Sequence, residues 1–303
     1  MKYEKKDILV YNNGKYEKEN IPAEKWMRLI YENPVAGAPL LHLVKRKMAS
    51  RIYGLYCRTR FSARTIPQFI QDYQIDMTGC EDSYKNFADF FARKRQGVHF
   101  SPEQNILGSP CEGLVSAYGR IDAQSLIDAK GTGFSLEELF DDAAVAQDYQ
   151  GGSMLHIRLT PSSYHRIHFF DDGQVIDSKF INGHLFSVSP IAVSRIARLY
   201  CLNKRALIQF RSQNFGDVVM VEVGATFVGS IIHCFDSGEQ VLRGQEAGYF
   251  LPGGSLLMVF FKEGAFAPDI SLLEQTAAGY ETKAELGQPL GKGNNFGGEQ
   301  ANL

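Results

Sequence analysis

Hydrophobic and polar positions change rhythm about a third of the way along the chain. Between Ala23 and about Tyr73, apolar residues recur every three or four positions: Trp26, Leu29, Ile30, then Leu40, Leu41, Leu43 and Val44. That is the spacing of one helix face. From Leu107 onward the pattern is mostly strand-like. Met154–Thr160 alternates, with Leu155, Ile157 and Leu159 on one face and His156 and Arg158 on the other. Asp217–Val223, Thr226–His233 and Ser255–Lys262 are apolar runs rich in Val, Ile and Phe, bounded by Gly or Asp. Local punctuation agrees. Asn12-Asn13-Gly14 between Asp7–Tyr11 and Lys15–Ile21 predicts a β-hairpin. Thr65-Ile66-Pro67-Gln68, Ser135-Leu-Glu-Glu138 and Ser189-Pro190 predict helix starts, through a capping residue or an early proline. A linker at about Asp76–Ser83 precedes a short aromatic helix over Tyr84–Lys94, and Gly291–Leu303 reads as a flexible tail.

These elements predict an α+β fold, a strand-rich core with marginal helices and a helical, basic N-terminal region. The expected division is 1–80 and 81–303. No regular strand–helix alternation, internal repeat, GxGxxG or GxxxxGK[ST] points to a nucleotide-binding sheet.

The chain has 303 residues, 44% hydrophobic and 22% charged, so it has ample material for a core. A net charge of −2 excludes a protein that coats nucleic acid along its whole surface. One segment departs from this balance. Leu41–Arg64 carries Lys45, Arg46, Lys47, Arg51, Arg58, Arg60 and Arg64 with no acid, interleaved with Leu43, Val44, Met48, Ile52, Tyr53, Leu55, Tyr56 and Phe61. A basic amphipathic stretch suits an anionic bilayer surface; its plainer reading is a solvated face packed on the core. The five cysteines, Cys57, Cys80, Cys111, Cys201 and Cys234, form no CxxC pair. They read as reduced thiols of a cytosolic chain, not as disulfides or zinc ligands. Met1–Asp7 is polar and no apolar stretch follows, so no secretory leader is expected. The longest charge-free runs, Phe180–Ser194 and Ala247–Phe261, are fifteen residues and interrupted by Gly or Pro. A spanning helix needs about 20 apolar residues, so no membrane crossing is expected.

Reactive side chains concentrate in three places. Ser109-Pro-Cys-Glu-Gly113 sets Glu112 in a tight turn. Thr160-Pro-Ser-Ser-Tyr-His-Arg-Ile-His168 carries His165 and His168, which share a face if the segment is helical and oppose each other if it is a strand. Phe250-Leu-Pro-Gly-Gly-Ser255 puts two glycines and a serine before an apolar run. Each has a plain structural reading: a solvated turn acid, a surface histidine pair, an ordinary turn. The histidine spacing supplies no metal set, and none is expected. Together they hold the parts of a nucleophilic site: a hydroxyl, an imidazole to take its proton, and a carboxylate to orient the imidazole. The Gly-Gly pair permits backbone geometry that would turn the Gly254 carbonyl toward the Ser255 hydroxyl.

The sequence resembles the phosphatidylserine decarboxylase family in its proenzyme form, from about Asn86 to Gly291 and more loosely through the N-terminal helices. The resemblance rests on Phe87-Ala-Asp-Phe-Phe-Ala-Arg93, the Ser109–Gly113 and Thr160–His168 blocks, Ile181-Asn-Gly-His-Leu-Phe-Ser187, Val221-Glu-Val-Gly-Ala-Thr-Phe-Val-Gly-Ser230 and Gly244-Gln-Glu-Ala-Gly-Tyr-Phe-Leu-Pro-Gly-Gly-Ser255. The Gly-Gly-Ser ending is similar to the shorter bacterial branch. The resemblance implies self-cleavage between Gly254 and Ser255 by attack of the serine hydroxyl. The products are a β chain, 1–254, and an α chain, 255–303, in which Ser255 has become a pyruvoyl group. His168 matches the family's base for this step and Glu112 the residue that holds it; His165, with His168 as an alternative, is the candidate for protonating the decarboxylated carbon. Implied partners are phosphatidylserine in an anionic membrane, the two chains of one proenzyme, and a second copy in a homodimer, with no nucleic acid. The implied location is peripheral, on the cytoplasmic side of the cell membrane. Two positions depart from the family pattern: Leu256 stands where Thr is usual, the milder difference, and Glu112 stands where the resemblance leads one to expect Asp, a change whose methylene shifts a carboxylate by about 1.5 Å. An uncleaved, non-enzymatic lipid-binding relative is therefore the alternative reading, and a plain strand-rich carrier the more distant one.

Overall fold

The computed structural model describes residues 8–293 apart from positions 22, 34, 45–46, 125, 128–132 and 227–230. Lys45 and Arg46 of the basic segment, Asp7 and 227–230 of the Thr226–His233 run lie outside the described residues. Ten strands form the main sheet in the order Gln240–Val241, Gly173–Ile181, Arg205–Ser212, Gly216–Gly224, Ser255–Phe261, Ser153–Leu159, Gly113–Tyr118, Glu281–Ala284, Leu9–Asn12, Lys15–Lys18. Neighbours are antiparallel except Leu9–Asn12, which runs parallel to Glu281–Ala284. The architecture is α+β, as the pattern of apolar positions predicts.

The Ser255–Phe261 strand lies mid-sheet and is buried along its whole length. Its alternate residues enter two separate cores. Leu257, Val259 and Phe261 pack with Ile157, Met220, Ile167 and Phe250. Leu256, Met258 and Phe260 pack with Met154, Val221, Phe140 and Tyr200 on the opposite side. A strand covered on both faces reads as a continuous apolar run. The same double cover corrects the simple picture of Met154–Thr160: the face bearing His156 and Arg158 is buried too.

A three-stranded antiparallel sheet, Ile231–His233, Glu246–Phe250 and Arg166–His168, contributes Ile231, Phe250 and Ile167 to the first core. At the N-terminus the hairpin forms as expected, with Asn13 (φ 45°) and Gly14 (φ 84°) left-handed at its turn. The helical stretch resolves into α1 (Glu24–Glu32), α2 (Gly37–Val44), α3 (Lys47–Cys57), a 3-10 turn Arg60–Thr65 and α4 (Ile66–Tyr73). Thr65 does not cap α4. It is already helical, and its hydroxyl donates to the Ser62 carbonyl at 2.8 Å. The aromatic helix is shorter than its pattern suggests: α5 spans Phe87–Phe91, and the Asn86 side chain accepts from the Asp89 amide. Phe87, Phe90 and Phe91 join Cys57 and Ile66 in a third cluster, fastening the N-terminal helices to the core. Gly291–Gly293, expected in the tail, instead belongs to the strand Pro289–Gly293; 294–303 lies outside the described residues.

Candidate active site

Ser255 opens the mid-sheet strand, paired with Leu159 on one side and Gly224 on the other. Alternation along the strand puts its side chain on the same face as Leu257. The residue is fully buried, and its Oγ has no hydrogen-bond partner. Burying a hydroxyl without a partner costs about 1–3 kcal/mol, which argues for a purpose. The preceding loop enters the strand at a sharp angle. Gly253 has φ 141°, a conformation closed to most side chains. At Gly254, by contrast, a Cβ would meet only Val188 at 3.7 Å and Ala225 at 4.0 Å, ordinary contact distances. Of the two glycines, the backbone argument holds for Gly253.

His165 stands just before the Arg166–His168 strand and is completely buried. Its carbonyl accepts from the Phe250 amide at 3.0 Å, tying it to the start of the Gly-Gly loop. Its Nδ1 lies 2.8 Å from the Ser163 carbonyl. A carbonyl only accepts, so Nδ1 carries the proton and Nε2 is the bare nitrogen; Nε2 is buried and has no partner. The ring packs on Phe91 of α5, centroids 4.0 Å apart. Burial first, then the Arg93 charge, push its pKa down to about 3, against the opposing pull of the Ser163 and Gly253 backbone. The imidazole is therefore neutral at physiological pH, with the Gly253 backbone acting directly on it. Ser255 and His165, which the sequence separates by ninety positions, converge on one loop.

His168 faces different neighbours. Its Nδ1 donates to the Gly244 carbonyl at 2.8 Å, and its Nε2 accepts from the Tyr164 hydroxyl at 3.2 Å. Burial lowers its pKa as well. His165 and His168 lie on extended backbone, not a shared helical face. Glu112 occupies the expected turn, held where the Pro110 carbonyl accepts from the His168 amide at 2.8 Å. Its carboxylate, however, is engaged by Arg95 at 3.1 Å. The Arg95 guanidinium lies over the Tyr164 ring, 5.2 Å from its centroid. Among the described contacts Glu112 and His168 are thus linked through Arg95 and Tyr164, and not by the direct pair that the resemblance implies.

The match to known proteins is extensive. The model of the family described as phosphatidylserine decarboxylase matches residues 87–292. The phosphatidylserine decarboxylase proenzyme of Clostridium botulinum (strain Kyoto / Type A2) is 40% identical over 292 residues, covering 94% of this chain and 99% of that protein. The proenzyme of Clostridium perfringens (strain SM101 / Type A) is 40% identical over 293 residues, with the same coverage. The chain belongs to the phosphatidylserine decarboxylase family.

Two cavities flank α5 in this decarboxylase-family fold. One, of about 240 Å³, is lined by Met27, Tyr53, Phe69, Phe87, Phe91 and Val188, with Gly253 and Gly254 in its wall. The other is an open cleft of about 860 Å³ lined by Arg58, Lys85, Arg93, Lys94, Arg166 and Leu251, with Glu81 and Asp89 among its acids. An apolar cavity and a basic cleft on either side of one short helix suit a molecule with hydrocarbon and anionic parts.

Several residues of this neighbourhood escape a reading of motifs. Arg158 is buried between two carboxylates, Glu19 at 2.8 Å and Glu281 at 2.6 Å. Burial lowers its proton affinity, but Glu281 and Glu19 outweigh that and hold it firmly charged. Arg93 and Tyr164 lie inside the quoted blocks without a role read for them, and Arg95 lies just outside the first. The one available signal was charge in apolar company: Arg158 inside an alternating strand, and Arg93 directly after Phe-Phe-Ala. Among the described residues no group of three or more His, Cys, Asp or Glu could hold a metal ion.

Proposed function

We propose that this chain converts phosphatidylserine to phosphatidylethanolamine, as a carboxy-lyase whose pyruvoyl group is made from its own Ser255. The observation that carries this reading is the buried Ser255 Oγ, without a hydrogen-bond partner among the described residues, directly after the Gly253–Gly254 loop whose Gly253 backbone acts on the His165 imidazole. Its hydroxyl attacks the Gly254 carbonyl carbon and the peptide C–N bond gives way to an ester; β-elimination then breaks the Ser255 Cβ–O bond, releasing the Gly254 carboxylate, and water hydrolyses the resulting enamine, releasing ammonia and leaving the keto-acid cap. The hydroxyl proton needs an acceptor. His165 Nε2 is one candidate once it comes within hydrogen-bond reach of the hydroxyl; His168, the family-matched base, is the other once Tyr164 releases its Nε2. Glu112 bears on His168 through the Arg95–Tyr164 contacts.

Residue 255 fits such a group, because no hydrogen bond to its side chain would be lost. The ladder to Leu159 and Gly224 holds its backbone in place. Once formed, the pyruvoyl group supplies an electron sink for breaking the bond to the substrate carboxylate. His165, or alternatively His168, delivers a proton to the carbon after carbon dioxide leaves. The apolar cavity receives hydrocarbon, and the basic cleft receives the anionic head. Cleavage at 254/255 leaves the α chain as a strand between two β-chain strands, so the two products stay together. Intact-mass spectrometry of purified protein should find two chains split at this bond, the smaller blocked at its N-terminus by pyruvoyl. A single 33.9 kDa chain under all conditions would instead indicate the uncleaved lipid-binding alternative.

We also assign residues 1–80 to membrane contact and 81–303 to catalysis, with the protein peripheral on the cytoplasmic side of the cell membrane and homodimeric. Supporting the contact, Ile52 (65% exposed), Leu55 (66%) and Phe61 (60%) lie in α3 and the following turn. Arg51, Arg58, Arg60 and Arg64 are exposed beside them. Each such charge contributes about 1 kcal/mol at an anionic surface. Among the described residues no helix is long and apolar enough to cross a membrane. Changing these four arginines to Gln should weaken flotation with phosphatidylserine vesicles by at least about 100-fold at low salt. Undiminished flotation would remove the basic segment from the membrane role.

A further inference from the structure

Arg93 is a charge in an unlikely place. Its residue is 1% exposed, yet among the described residues it has no carboxylate partner, and its Nε and Nη1 are buried without a hydrogen-bond partner there. Only Nη2 is engaged, donating to the Ser162 carbonyl at 3.3 Å and the Ser163 carbonyl at 3.4 Å. Its guanidinium carbon lies 5.2 Å from the centroid of the Phe90 ring. Burial of an unpaired cation opposes folding, and unsatisfied groups of this kind call for a role.

The role is suggested by what the Ser163 carbonyl does on its other side: it accepts the Nδ1–H of His165. One carbonyl therefore takes a hydrogen bond from both the guanidinium and the imidazole. The helix that ends at Phe91 supplies the ring on which His165 packs, and the cation follows it by two residues.

We propose that Arg93 is a positioning residue that acts through His165. It anchors the Ser162 and Ser163 carbonyls, the second of which fixes the imidazole as the Nδ1–H tautomer, and its charge adds to burial in disfavouring the imidazolium, so that Nε2 stays bare. The proposal rests on the reading of His165 as the proton carrier at residue 255. The groups acting on the ring are consistent with it. Burial and Arg93 disfavour the imidazolium, the Ser163 and Gly253 backbone favours it, and Phe91 brings no charge. Arg93 in turn feels Cys80, Glu112, Arg95 and Tyr84, after burial itself.

The sign of the expected effect follows. Removing a neighbouring cation makes the imidazolium easier to form, so the His165 pKa rises and the base is lost at higher pH than before. The test is a side-chain NMR titration of His165 in the uncleaved full-length Ser255→Ala chain. Arg93→Met should raise the His165 midpoint by about one pH unit or more. Arg93→Lys, which restores charge without the fork, should return the midpoint toward the parent. With Ser255 intact, the acid limb of self-cleavage should move up in Arg93→Met by the same interval, lowering the rate about fivefold near pH 3 while sparing it at neutral and alkaline pH. If Arg93→Met does not fold, Arg93→Gln, which keeps a donor for the carbonyls, is read in the same way. An unmoved His165 midpoint in a folded, neutral variant overturns the proposal. The underlying reading fails separately: His165→Ala with Ser255 intact would then cleave and decarboxylate at the parental rate, whatever Arg93 does to the titration.

Discussion

Replacing Ser255 by alanine is expected to leave a single 33.9 kDa chain and to abolish decarboxylation of phosphatidylserine vesicles. The reason is local and chemical. Only the 255 hydroxyl is attached to the residue following the scissile carbonyl, so its removal takes away both the nucleophile and the atoms from which the prosthetic group is built. The fold should survive. Ser255 is held by backbone pairing to Leu159 and Gly224, and its Oγ makes no hydrogen bond that alanine would lose. Circular dichroism and intact mass read the two halves of this expectation together. A folded Ser255→Ala protein that still yielded chains divided at 254/255 would remove the hydroxyl from the cleavage step.

The second large effect is expected at Arg158, where the consequence is structural first. Arg158 joins Glu19, just beyond the N-terminal hairpin, to Glu281 on the other side of the Gly113–Tyr118 strand, and all three are buried. Arg158→Met takes the cation away from two buried carboxylates. Breaking a buried ion group from one side costs about 3–5 kcal/mol, a large fraction of the stability of an ordinary domain. Urea denaturation in the Ser255→Ala background would measure it, free of any change in processing. Adding Glu19→Gln and Glu281→Gln should recover much of the loss, because neutral amides need no cation. A loss below about 1 kcal/mol for Arg158→Met alone would mean that the carboxylates find water or protons and that the triad does not fasten the hairpin to the sheet. Self-cleavage should slow in step with destabilisation, since the next residue, Leu159, is the strand partner of Ser255.

The fold was legible where one local signal dominates. Asn13-Gly14 needs two left-handed residues and makes the hairpin; Ser135 and Ser189 cap their helices through side-chain oxygens. It was less legible where neighbours decide. Thr65 carries a capping residue's side chain, but the preceding 3-10 turn has already set its backbone as helical, so the hydroxyl turns back to Ser62. The pattern Phe87-Ala-Asp-Phe-Phe extends toward Tyr84 and Lys94 on paper, yet Asn86 starts the helix and Ala92 caps its C-terminal end. The end of the chain shows the same override. Gly291–Gly293 looks like tail by composition and is strand by pairing, because Phe266–Pro268 and Ile106–Gly108 supply hydrogen-bond partners on both sides.

The sequence by itself determined the reactive inventory and its family: a Gly-Gly-Ser segment ahead of an apolar strand, two histidines three apart, and a turn acid, each readable because it lies within a few residues of chain. Tertiary structure alone decided which of these meet. Strand pairing sets Ser255 mid-sheet, the Phe250–His165 backbone bond draws one imidazole to the Gly-Gly loop, and Arg95 engages the Glu112 carboxylate. Charge placement is decided at the same level. Whether an arginine is solvated, clamped by acids like Arg158 or left unpaired like Arg93 depends on residues dozens of positions away, and burial turns that difference into proton affinity.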